Sequence, residues 1–294
     1  MILRTFAPMK QVRPKKNLGQ HFLTDLNIAK RIADTVDEPF DSLPVLEVGP
    51  GMGVMTQFLV EKPRPLKVVE IDRESVAYLS EKFSWSSPQI ISADFLRMDL
   101  REVFGGQQFV LTGNYPYDIS SQIFFKMLDN KDLIPCCTGM IQHEVAVRMA
   151  SQPGNKQYGI LSVLIQAWYH VEYLFTVEPS VFNPPPKVQS AVIRMTRNEV
   201  TDLGCDEQLF RRVVKTVFNQ RRKMLRVSLR QLLPDTSQLS TLHSQLSTLR
   251  SALPLRSAKN SPLGEAFLTR RPEQLSIPEF VALTNLVAAA LGEG

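Results

Sequence analysis

The segment VLEVGPGMG at residues 45–53 decides the fold. The apolar run Val45–Val48 is followed at once by three glycines at alternate positions from Gly49 to Gly53, which is typical of a buried strand that ends in a tight turn into a helix. A dinucleotide-binding loop has the spacing G-x-G-x-x-G, but here Val54 stands where its last glycine belongs. The spacing favours a nucleoside cofactor without pyrophosphate, such as S-adenosylmethionine (SAM). For this loop taken alone, a tight turn without a ligand remains the alternative.

Short apolar runs and helix-like stretches alternate on both sides of this loop. This periodicity predicts an α/β fold with a mainly parallel, doubly wound sheet and a ligand crevice at the carboxyl ends of its strands. Later in the chain, Val171–Val177 and Val188–Met195 fit two antiparallel strands that close the sheet. The earlier strands are predicted at Val45–Val48, Leu66–Ile71, Gln89–Ile91, Phe109–Leu111 and Gly139–Ile141.

The chain is predicted to form two domains. Residues 1–24 are a polar, basic arm, after which Asp25 can cap a helix. The patterns typical of strands stop beyond about Arg197. We therefore predict a Rossmann-like SAM-binding domain at 1–198 and a smaller, all-α domain at 199–294. The direct repeat SQLSTLH–SQLSTLR at 237–250 is interpreted as a local duplication with no direct part in chemistry.

Charge is distributed unevenly along the chain. Residues 1–31 hold seven Lys/Arg and one acid, residues 200–294 hold thirteen and eight, and the segment between them is acidic, for a net charge of +5 overall. Two basic ends around an acidic body are expected if the ends contact a polyanion. Solvated surface charge is the alternative interpretation.

Composition excludes several classes of protein. No apolar run approaches the ~18 to 20 residues that span a bilayer, and the N-terminus lacks a signal-peptide pattern. The three cysteines, of which Cys136 and Cys137 are adjacent, suit neither a disulfide framework nor a metal site. We therefore expect a protein without metal or membrane contact that stays in the cytoplasm.

Two acidic residues follow successive predicted strands. Glu70 lies nineteen positions after Gly51, where a carboxylate can accept the ribose hydroxyls of a nucleoside. Asp94 stands at the end of the next strand, where it can accept the amine of the cofactor's adenine. Either acid alone could be a surface carboxylate or a helix cap, but together with the glycine loop they favour a nucleoside site.

The motif GNYPYDIS at residues 113–120 follows the fourth strand and carries the predicted chemistry. Adenine N6 is a poor nucleophile because its lone pair is delocalised into the ring. If the Asn114 side-chain oxygen and the Tyr115 carbonyl accept its two N–H bonds, they can aim the nitrogen at a methyl donor. Pro116 fixes the turn, and Tyr117 can stack on the base. A loop with a satisfied Asn and a core Tyr is the disfavoured alternative.

At these motifs the sequence resembles the small-subunit ribosomal RNA dimethyladenosine transferases (the KsgA type). KKNLGQHFLTD at Lys15–Asp25 resembles the opening motif that closes over SAM in that family. The resemblance continues in order through the segments LEVGPGMGVMT, VVEIDR, ISADFL, GNYPYDIS, MIQHEVAVRM, YGILSV, VFNPPPKVQSAV and FNQRRKMLRVSL. It covers nearly the whole chain.

The resemblance implies roles for individual residues. Phe182, before the triple proline, would be the second aromatic wall opposite Tyr117. Two positions depart from the family: His21 stands where Asn is common, and Tyr115 replaces a typical Leu or Ile, which we expect to crowd the pocket entrance while acting through its backbone. The implied SAM contacts are His21, Leu23, Gly49, Gly51, Glu70, Asp94 and Asn114.

RNA contacts are predicted at the basic ends. Residues 211–230 carry eight Lys/Arg and no acid, and phosphate contacts of this kind supply affinity and orientation but not base sequence. A solvated helix face is the alternative. The residues predicted to contact RNA are Lys15, Lys16, Arg221, Arg222 and Lys223.

We therefore expect a SAM-dependent methyltransferase that forms S-adenosylhomocysteine and dimethylates N6 of two adjacent adenosines near the 3′ end of small-subunit (16S) rRNA. The expected partner is the small ribosomal subunit, and we expect a monomer. A resistance-type methyltransferase acting on large-subunit rRNA, a catalytically silent assembly factor and, more distantly, a nicotinamide oxidoreductase remain alternatives.

Overall fold

A computed structural model describes residues 12–15, 19–84, 88–235, 237–238, 240–242 and 267–292. The chain forms two compact units, residues 1–147 with 169–198 and residues 148–168 with 199–294. After residue 198 the chain passes from the first unit into the second, at the position of the predicted domain boundary. Residues 148–168, however, belong to the second unit, because the helix they contain packs on the C-terminal helices.

The first unit is built on a seven-stranded sheet. Its strands, with a separate two-stranded pair, are β1 (Phe22–Leu23), β2 (Val45–Val48), β3 (Leu66–Glu70), β4 (Pro88–Ser92), β5 (Val110–Thr112), β6 (Cys136–Gln142), β7 (Tyr169–Val177), β8 (Phe182–Asn183) and β9 (Ser190–Arg197). Helices among the described residues include α1 (Leu26–Asp34), α2 (Thr56–Leu59), α3 (Arg73–Lys82), α4 (Leu100–Val103), α5 (Ser120–Asp129), α6 (His143–Ala150), α7 (Ile160–Gln166), α8 (Glu207–Asn219), α9 (Leu225–Ser228) and α10 (Ile277–Leu291).

The order of the large sheet is β4-β3-β2-β5-β6-β9-β7. Neighbours from β4 to β6 are parallel, whereas β9 pairs antiparallel with both β6 and β7. The predicted fold class is therefore confirmed, including the antiparallel closure. The order reverses at β2, since the chain proceeds outward to β3 and β4 and then returns to β5. Such a reversal creates a crevice at the carboxyl ends of the strands.

The central strands are apolar because helices cover both faces of a parallel sheet. All four residues of β2 and all three of β5 are buried. On one side of the sheet, α1 begins as predicted at Asp25, whose carboxylate accepts the backbone N–H groups of Asn27 (2.8 Å) and Ile28 (3.0 Å). Ala29, Ile32 and Ala33 form the buried face of this helix.

The sequence pattern does not predict the two-stranded pair formed by β1 and β8. β1 pairs antiparallel with β8, so that Phe22 faces Asn183 and Leu23 faces Phe182 in the register. Thr24 extends the contact because both its backbone N–H and its hydroxyl donate to the Val181 carbonyl, each at 2.8 Å. The pair attaches the N-terminal arm to the segment that precedes the triple proline.

The second unit is helical in its described residues. On α8 the buried positions recur at helical spacing, and they comprise Leu209, Phe210, Val213, Val214, Val217 and Phe218. The Phe218 ring stacks on Phe280 of α10 with ring centroids 5.8 Å apart. Only residues 237–238 and 240–242 of the predicted SQLSTL duplication belong to the described part. No helix among the described residues is both long and apolar enough to cross a membrane.

Candidate cofactor and base-binding site

A cleft of about 270 Å³ opens at the carboxyl ends of the parallel strands in the first unit. It is lined by segments from five parts of the chain: the arm at 19–23, the glycine loop, the end of β3, residues 93–96 and the catalytic loop at 114–119. The structure thus brings together all the predicted SAM contacts around one cavity.

The glycine loop is shaped for close approach. Gly51 has φ +57°, and a Cβ atom added there would lie 2.9 Å from Cε1 of Phe22 in the arm. Gly53 has φ +71°, and its added Cβ would lie 2.6 Å from the Phe83 ring. Side chains at these positions would therefore be strained and would clash, which explains two of the three glycines.

Glu70 is prepared to accept hydroxyl groups. The backbone N–H of Gly51 donates to its Oε2 at 3.1 Å, and that of Asp72 donates to its Oε1 at 2.9 Å. Burial raises the pKa of this carboxyl, and the two donors oppose that shift. Because each carboxylate oxygen accepts more than one hydrogen bond, both oxygens keep capacity for the two hydroxyls of a ribose. The two carboxylate oxygens of Glu70 therefore fit the ribose of a nucleoside cofactor.

Asp94 caps the short 3₁₀ helix Phe95–Arg97 at the cleft edge. Its Oδ1 accepts the backbone N–H of Leu96 at 2.9 Å, and its Oδ2 lies 3.4 Å from Nε of Arg97. The helix-cap alternative and the cofactor contact are thus compatible, because a carboxylate has lone pairs for both.

Glu47 lines the cleft but was absent from the predicted site. It lies within β2, is 1% exposed, and accepts the Thr56 hydroxyl at 2.6 Å. Burial raises the pKa of this carboxyl to about 7, and the charge of nearby Glu70 acts in the same direction. A single acid inside an otherwise apolar strand, just before the glycine loop, is a sequence signal that favours a nucleoside site.

The catalytic loop is held against β6. The Tyr115 N–H donates to the Met140 carbonyl at 3.0 Å, and the Met140 N–H donates to the Gly113 carbonyl at 2.9 Å. The Asn114 amide Nδ2 donates to the His21 carbonyl at 3.2 Å. This bond settles the orientation of the amide and leaves its Oδ1 as a free acceptor. Within the described residues, neither Asn114 Oδ1 nor the Tyr115 carbonyl receives a hydrogen bond.

The expectation that Tyr115 crowds the pocket entrance is wrong. Its side chain is 1% exposed and points into the core, where the hydroxyl donates to the Thr138 carbonyl at 2.9 Å and the ring meets Phe124 edge-on. Space for the ring exists because two neighbours lack side chains. A Cβ added at Gly139 would lie 2.7 Å from the Tyr115 ring, and one added at Gly113 would lie 3.2 Å from it.

Tyr117 is half-buried at the cleft, in agreement with the predicted position of a base-stacking residue. Its hydroxyl bonds to the Ser190 hydroxyl on β9. Its ring stacks on that of His21, with centroids 5.6 Å apart and planes at 27°. His21 is therefore the aromatic neighbour of Tyr117 in this structure.

Phe182, which the resemblance implies as the second aromatic wall opposite Tyr117, is covered in this structure. Its side chain is 4% exposed and packs in a core cluster with Leu23, Met140 and Val192. The cause is the pairing of β8 with β1, which covers this residue with the arm. Its role opposite Tyr117 therefore stays a prediction, and it requires the arm to uncover the Phe182 ring.

Lys15, which is predicted to contact RNA, forms an ion pair within the first unit. Its ammonium lies 2.5 Å from Asp72 and 3.2 Å from Glu74, at the start of α3. Because Asp72 donates its backbone N–H to Glu70, this ion pair attaches the arm beside the predicted ribose acceptor. The neighbouring Lys16, also predicted to contact RNA, lies outside the described residues.

The other predicted RNA contacts lie in the second unit. Arg222 and Lys223 are exposed, whereas Arg221 is half-buried, donates to the Asn155 carbonyl at 3.3 Å and lies 3.8 Å from Glu273. Of these three side chains, those of Arg222 and Lys223 are therefore the more exposed to solvent.

Comparison with known proteins agrees with this arrangement. The profile of the family described as "Ribosomal RNA adenine dimethylase" matches residues 11–257. The protein named "Ribosomal RNA small subunit methyltransferase A" from Bacteroides thetaiotaomicron is 62% identical over 284 residues, which are 96% of this chain and 97% of that protein. Its namesake from Porphyromonas gingivalis is 55% identical and covers 95% of this chain and 99% of its own length.

Solved structures show the same fold. A dimethyladenosine transferase from Plasmodium falciparum superposes with a TM-score of 0.69 at 21% identity, covering 93% of this chain and 98% of its own. The 23S rRNA methyltransferase ErmE superposes with a TM-score of 0.60 at 26% identity, covering 90% and 99%. The family match and the curated relatives confirm the resemblance deduced from the motifs.

Proposed function

The chain belongs to the ribosomal RNA adenine dimethylase family, and on this premise we propose that it adds two methyl groups to N6 of each of two adjacent adenosines near the 3′ end of small-subunit rRNA. The relatives named for the small subunit, at 55–62% identity over nearly the full chain, support this substrate over the large-subunit alternative. The family uses SAM as its methyl donor.

One observation supports the proposed methyl transfer. Two acceptors at the cleft, Asn114 Oδ1 and the Tyr115 carbonyl, have no donor among the described residues. The N6 amino group of adenine offers two N–H donors. Accepting both would hold the nitrogen in one orientation and draw its lone pair away from conjugation with the ring. Orientation effects of this kind supply up to ~7 to 11 kcal/mol of a reaction barrier.

The residues around the cleft fit a nucleoside cofactor. Glu70 would hold the ribose hydroxyls, Asp94 the adenine amine, and the backbone at Gly49 and Gly51 the body of the molecule. When bound, SAM supplies a methyl group on a sulfonium, so that a carbon–nitrogen bond forms as a carbon–sulfur bond breaks. His21 and Leu23 of the arm cover the cavity and exclude water.

No general base is needed for this reaction. The N6 nitrogen becomes acidic only after it gains the methyl group, and its proton can then pass to solvent. The role of Asn114 is therefore positioning through hydrogen bonds rather than proton abstraction.

The test is methylation of small ribosomal subunits that lack these methyl groups, followed by nucleoside mass spectrometry. We expect dimethyladenosine on small-subunit RNA and none on purified large subunits. Product on large subunits alone would favour the resistance-type alternative. SAM binding without product on either subunit would overturn the proposed rRNA substrate. A protein that fails to bind SAM would support the assembly-factor alternative.

Asn114→Ala is expected to lower kcat at least 100-fold, because one of the two acceptors for N6 is lost. The matched control is Asn27→Ala, an exposed asparagine on α1, which should retain the rate. Circular dichroism verifies folding of both variants, and near-normal methylation by Asn114→Ala would refute the assigned role.

We further propose that the protein acts as a monomer in the cytoplasm, where its ribosomal substrate is assembled. Light scattering at micromolar concentration should give a mass near the 33.3 kDa of one chain. A mass of two chains would contradict this proposal.

A further inference from the structure

The turn that carries Asp94, the predicted adenine contact, is short and has to be held at both ends. Residues 93–96 line the cavity and overlap the 3₁₀ helix Phe95–Arg97. At the start of this helix the Asp94 carboxylate accepts the Leu96 N–H at 2.9 Å. Because a single 3₁₀ turn has few hydrogen bonds of its own, the position of Asp94 also depends on what holds the other end of the turn.

Lys126 holds that other end. Its Nζ donates to the Leu96 carbonyl at 3.0 Å and to the Met98 carbonyl at 2.5 Å. Nζ also lies 5.8 Å from the centroid of the Phe95 ring, within the range of a cation–π contact. The last carbonyl groups of a helix lack partners within the helix, and a lysine can satisfy them. Lys126 is thus a side-chain cap for the C-terminal end of the turn.

The Lys126 ammonium is surrounded by acids. Its side chain is half-buried, and burial lowers the pKa of the group, while the charges of Asp94, Asp99 and Asp129 oppose that shift. The effect of Asp94 is the largest of the three. The cation therefore lies close to the carboxylate that is predicted to receive the cofactor's adenine, and it offers that carboxylate an opposite charge.

Lys126 also belongs to α5, the helix that directly follows the catalytic loop. That loop ends in a 3₁₀ turn at Tyr117–Ile119, and α5 begins at the next residue. On the same helix, Phe124 meets the Tyr115 ring edge-on, with ring centroids 5.6 Å apart. The helix is therefore attached to the catalytic loop through Phe124 and to the turn at 94–98 through Lys126, and it holds these two sides of the cleft together.

We propose that Lys126 is a positioning residue for the cofactor: by capping the turn, it holds the Asp94 carboxylate where it accepts the 6-amino group of the adenine in SAM. The proposal rests on the proposed function, in which Asp94 receives that amine. It extends this role, because Lys126 is not one of the residues that line the cleft. Specificity for the amine then depends on a side chain that acts through Asp94 and does not touch the cofactor.

Lys67 on β3 offers a matched control for Lys126. It also donates to a backbone carbonyl, that of Val103 at 2.5 Å, and its Nζ lies 5.0 Å from the centroid of the Phe104 ring. The side chain is half-buried, as that of Lys126 is, but neither Val103 nor Phe104 lines the cleft. Substitution of either lysine by methionine keeps an apolar stem of similar length and removes the charge. The two variants thus lose the same kinds of contact, and only Lys126→Met affects the turn of Asp94.

The test measures cofactor affinity by calorimetry in the absence of RNA. The two ligands are S-adenosylhomocysteine and an analogue in which hydrogen replaces the 6-amino group of its adenine. The wild type should bind S-adenosylhomocysteine about 10-fold or more tightly than the analogue, because the analogue leaves the Asp94 acceptor without its donor. Lys126→Met should reduce this ratio to about 3-fold or less, whereas Lys67→Met should keep the wild-type ratio. A general loss of stability would weaken the binding of both ligands alike and leave the ratio unchanged.

Asp94→Ala provides a second measurement. If Lys126 acts through Asp94, adding Lys126→Met to Asp94→Ala should change the Kd for S-adenosylhomocysteine less than about 2-fold. A wild-type ratio in Lys126→Met would overturn the proposal, as would an equal fall of the ratio in Lys67→Met or additive effects of Lys126→Met and Asp94→Ala. Equal affinity of the wild type for the two ligands would overturn the role of Asp94 and the proposal with it. Because no RNA is present, failure to methylate ribosomal subunits would overturn the proposed substrate while these ratios still decide the role of Lys126.

Discussion

At the scale of single residues, Glu47 shows how a buried charge links the cofactor site to stability. The carboxyl lies inside β2 and lines the cleft, and burial raises its pKa from 4.5 to about 7. Between these two values the folded protein binds the proton more tightly than the unfolded chain. This group's contribution to stability therefore decreases as pH rises from about 4.5 to about 7.

Glu47→Gln removes this pH dependence while keeping an acceptor for the Thr56 hydroxyl. Relative to the wild type, the variant should gain on the order of 2 to 3 kcal/mol in unfolding free energy between pH 5 and pH 8. Urea denaturation at both pH values measures this difference. The control is Glu81→Gln, an exposed acid on α3, which should show little such gain. If the difference in unfolding free energy between Glu47→Gln and the wild type were the same at both pH values, the raised pKa of Glu47 would be contradicted.

Lys15 is a second residue whose role the structure changes. Its hydrogen bond to Asp72 raises the pKa of the ammonium and attaches the arm next to Glu70. Lys15→Gln should therefore weaken SAM binding about 3- to 10-fold at low salt, because the arm closes less firmly over the cofactor, and Lys15→Arg should restore most of the affinity.

Calorimetry at two salt concentrations tests this, because the Lys15 side chain is 32% exposed and salt partly screens its attraction to buried Asp72. The wild type should lose part of its SAM affinity in high salt, and Lys15→Gln should be less sensitive. Unchanged SAM affinity together with weaker binding to ribosomal subunits would instead support the RNA contact predicted from the sequence.

At the scale of elements, β5 and β6 carry the catalytic loop because their backbones approach closely. A Cβ added at Gly139 would lie 2.3 Å from the Gly113 carbonyl oxygen, so that close approach requires glycine. The same pair of glycines makes room for the Tyr115 ring. The loop thus presents the Tyr115 backbone to the cleft while its side chain fastens the loop to the core.

Tyr115→Phe tests this division of roles. Loss of the hydroxyl bond to the Thr138 carbonyl should lower the unfolding free energy by about 1 to 3 kcal/mol, since a buried acceptor is left without its donor. The value of kcat should stay within about 3-fold, because the proposed acceptor for N6 is the backbone carbonyl. Thermal unfolding and methylation kinetics check both expectations, and a large fall in kcat with unchanged stability would refute them.

At the scale of the whole molecule, the basic C-terminal region is the predicted contact with RNA phosphates. Arg222 and Lys223 are exposed. The double variant Arg222→Gln/Lys223→Gln should weaken binding to small subunits and reduce the slope of log affinity against log salt by about 1 to 2. SAM affinity should not change. The double control Lys30→Gln/Arg101→Gln removes two exposed charges that pair with Asp34 and Asp132 and should leave the slope unchanged.

Filter binding over a range of salt concentrations measures these slopes. An unchanged slope for Arg222→Gln/Lys223→Gln would favour the alternative of a solvated helix face. Equal effects of both double variants would show that net charge, rather than this surface, governs binding.

Much of the fold follows from local patterns in the sequence. Periodicity located the seven strands of the large sheet to within three residues at each end, and Asp25 marked the start of α1. The two-residue strands β1 and β8 were missed, because a pair this short has no periodicity and exists only where the arm meets the proline loop. The segment at 148–168 was assigned to the first domain because sequence order carries no record of its packing partners.

The sequence by itself determined the α/β fold, the glycine turn at Gly49–Gly53 and the positions of Glu70, Asp94 and Asn114 after successive strands, because each depends on residues close together in the chain. Only the tertiary structure decided that the ring of Tyr115 lies in the core, that Lys15 pairs with Asp72, and that His21 faces Tyr117. The physical reason is the separation of the partners. The bond from the His21 ring to the Pro184 carbonyl joins residues 163 positions apart, and no local pattern encodes a contact over that distance.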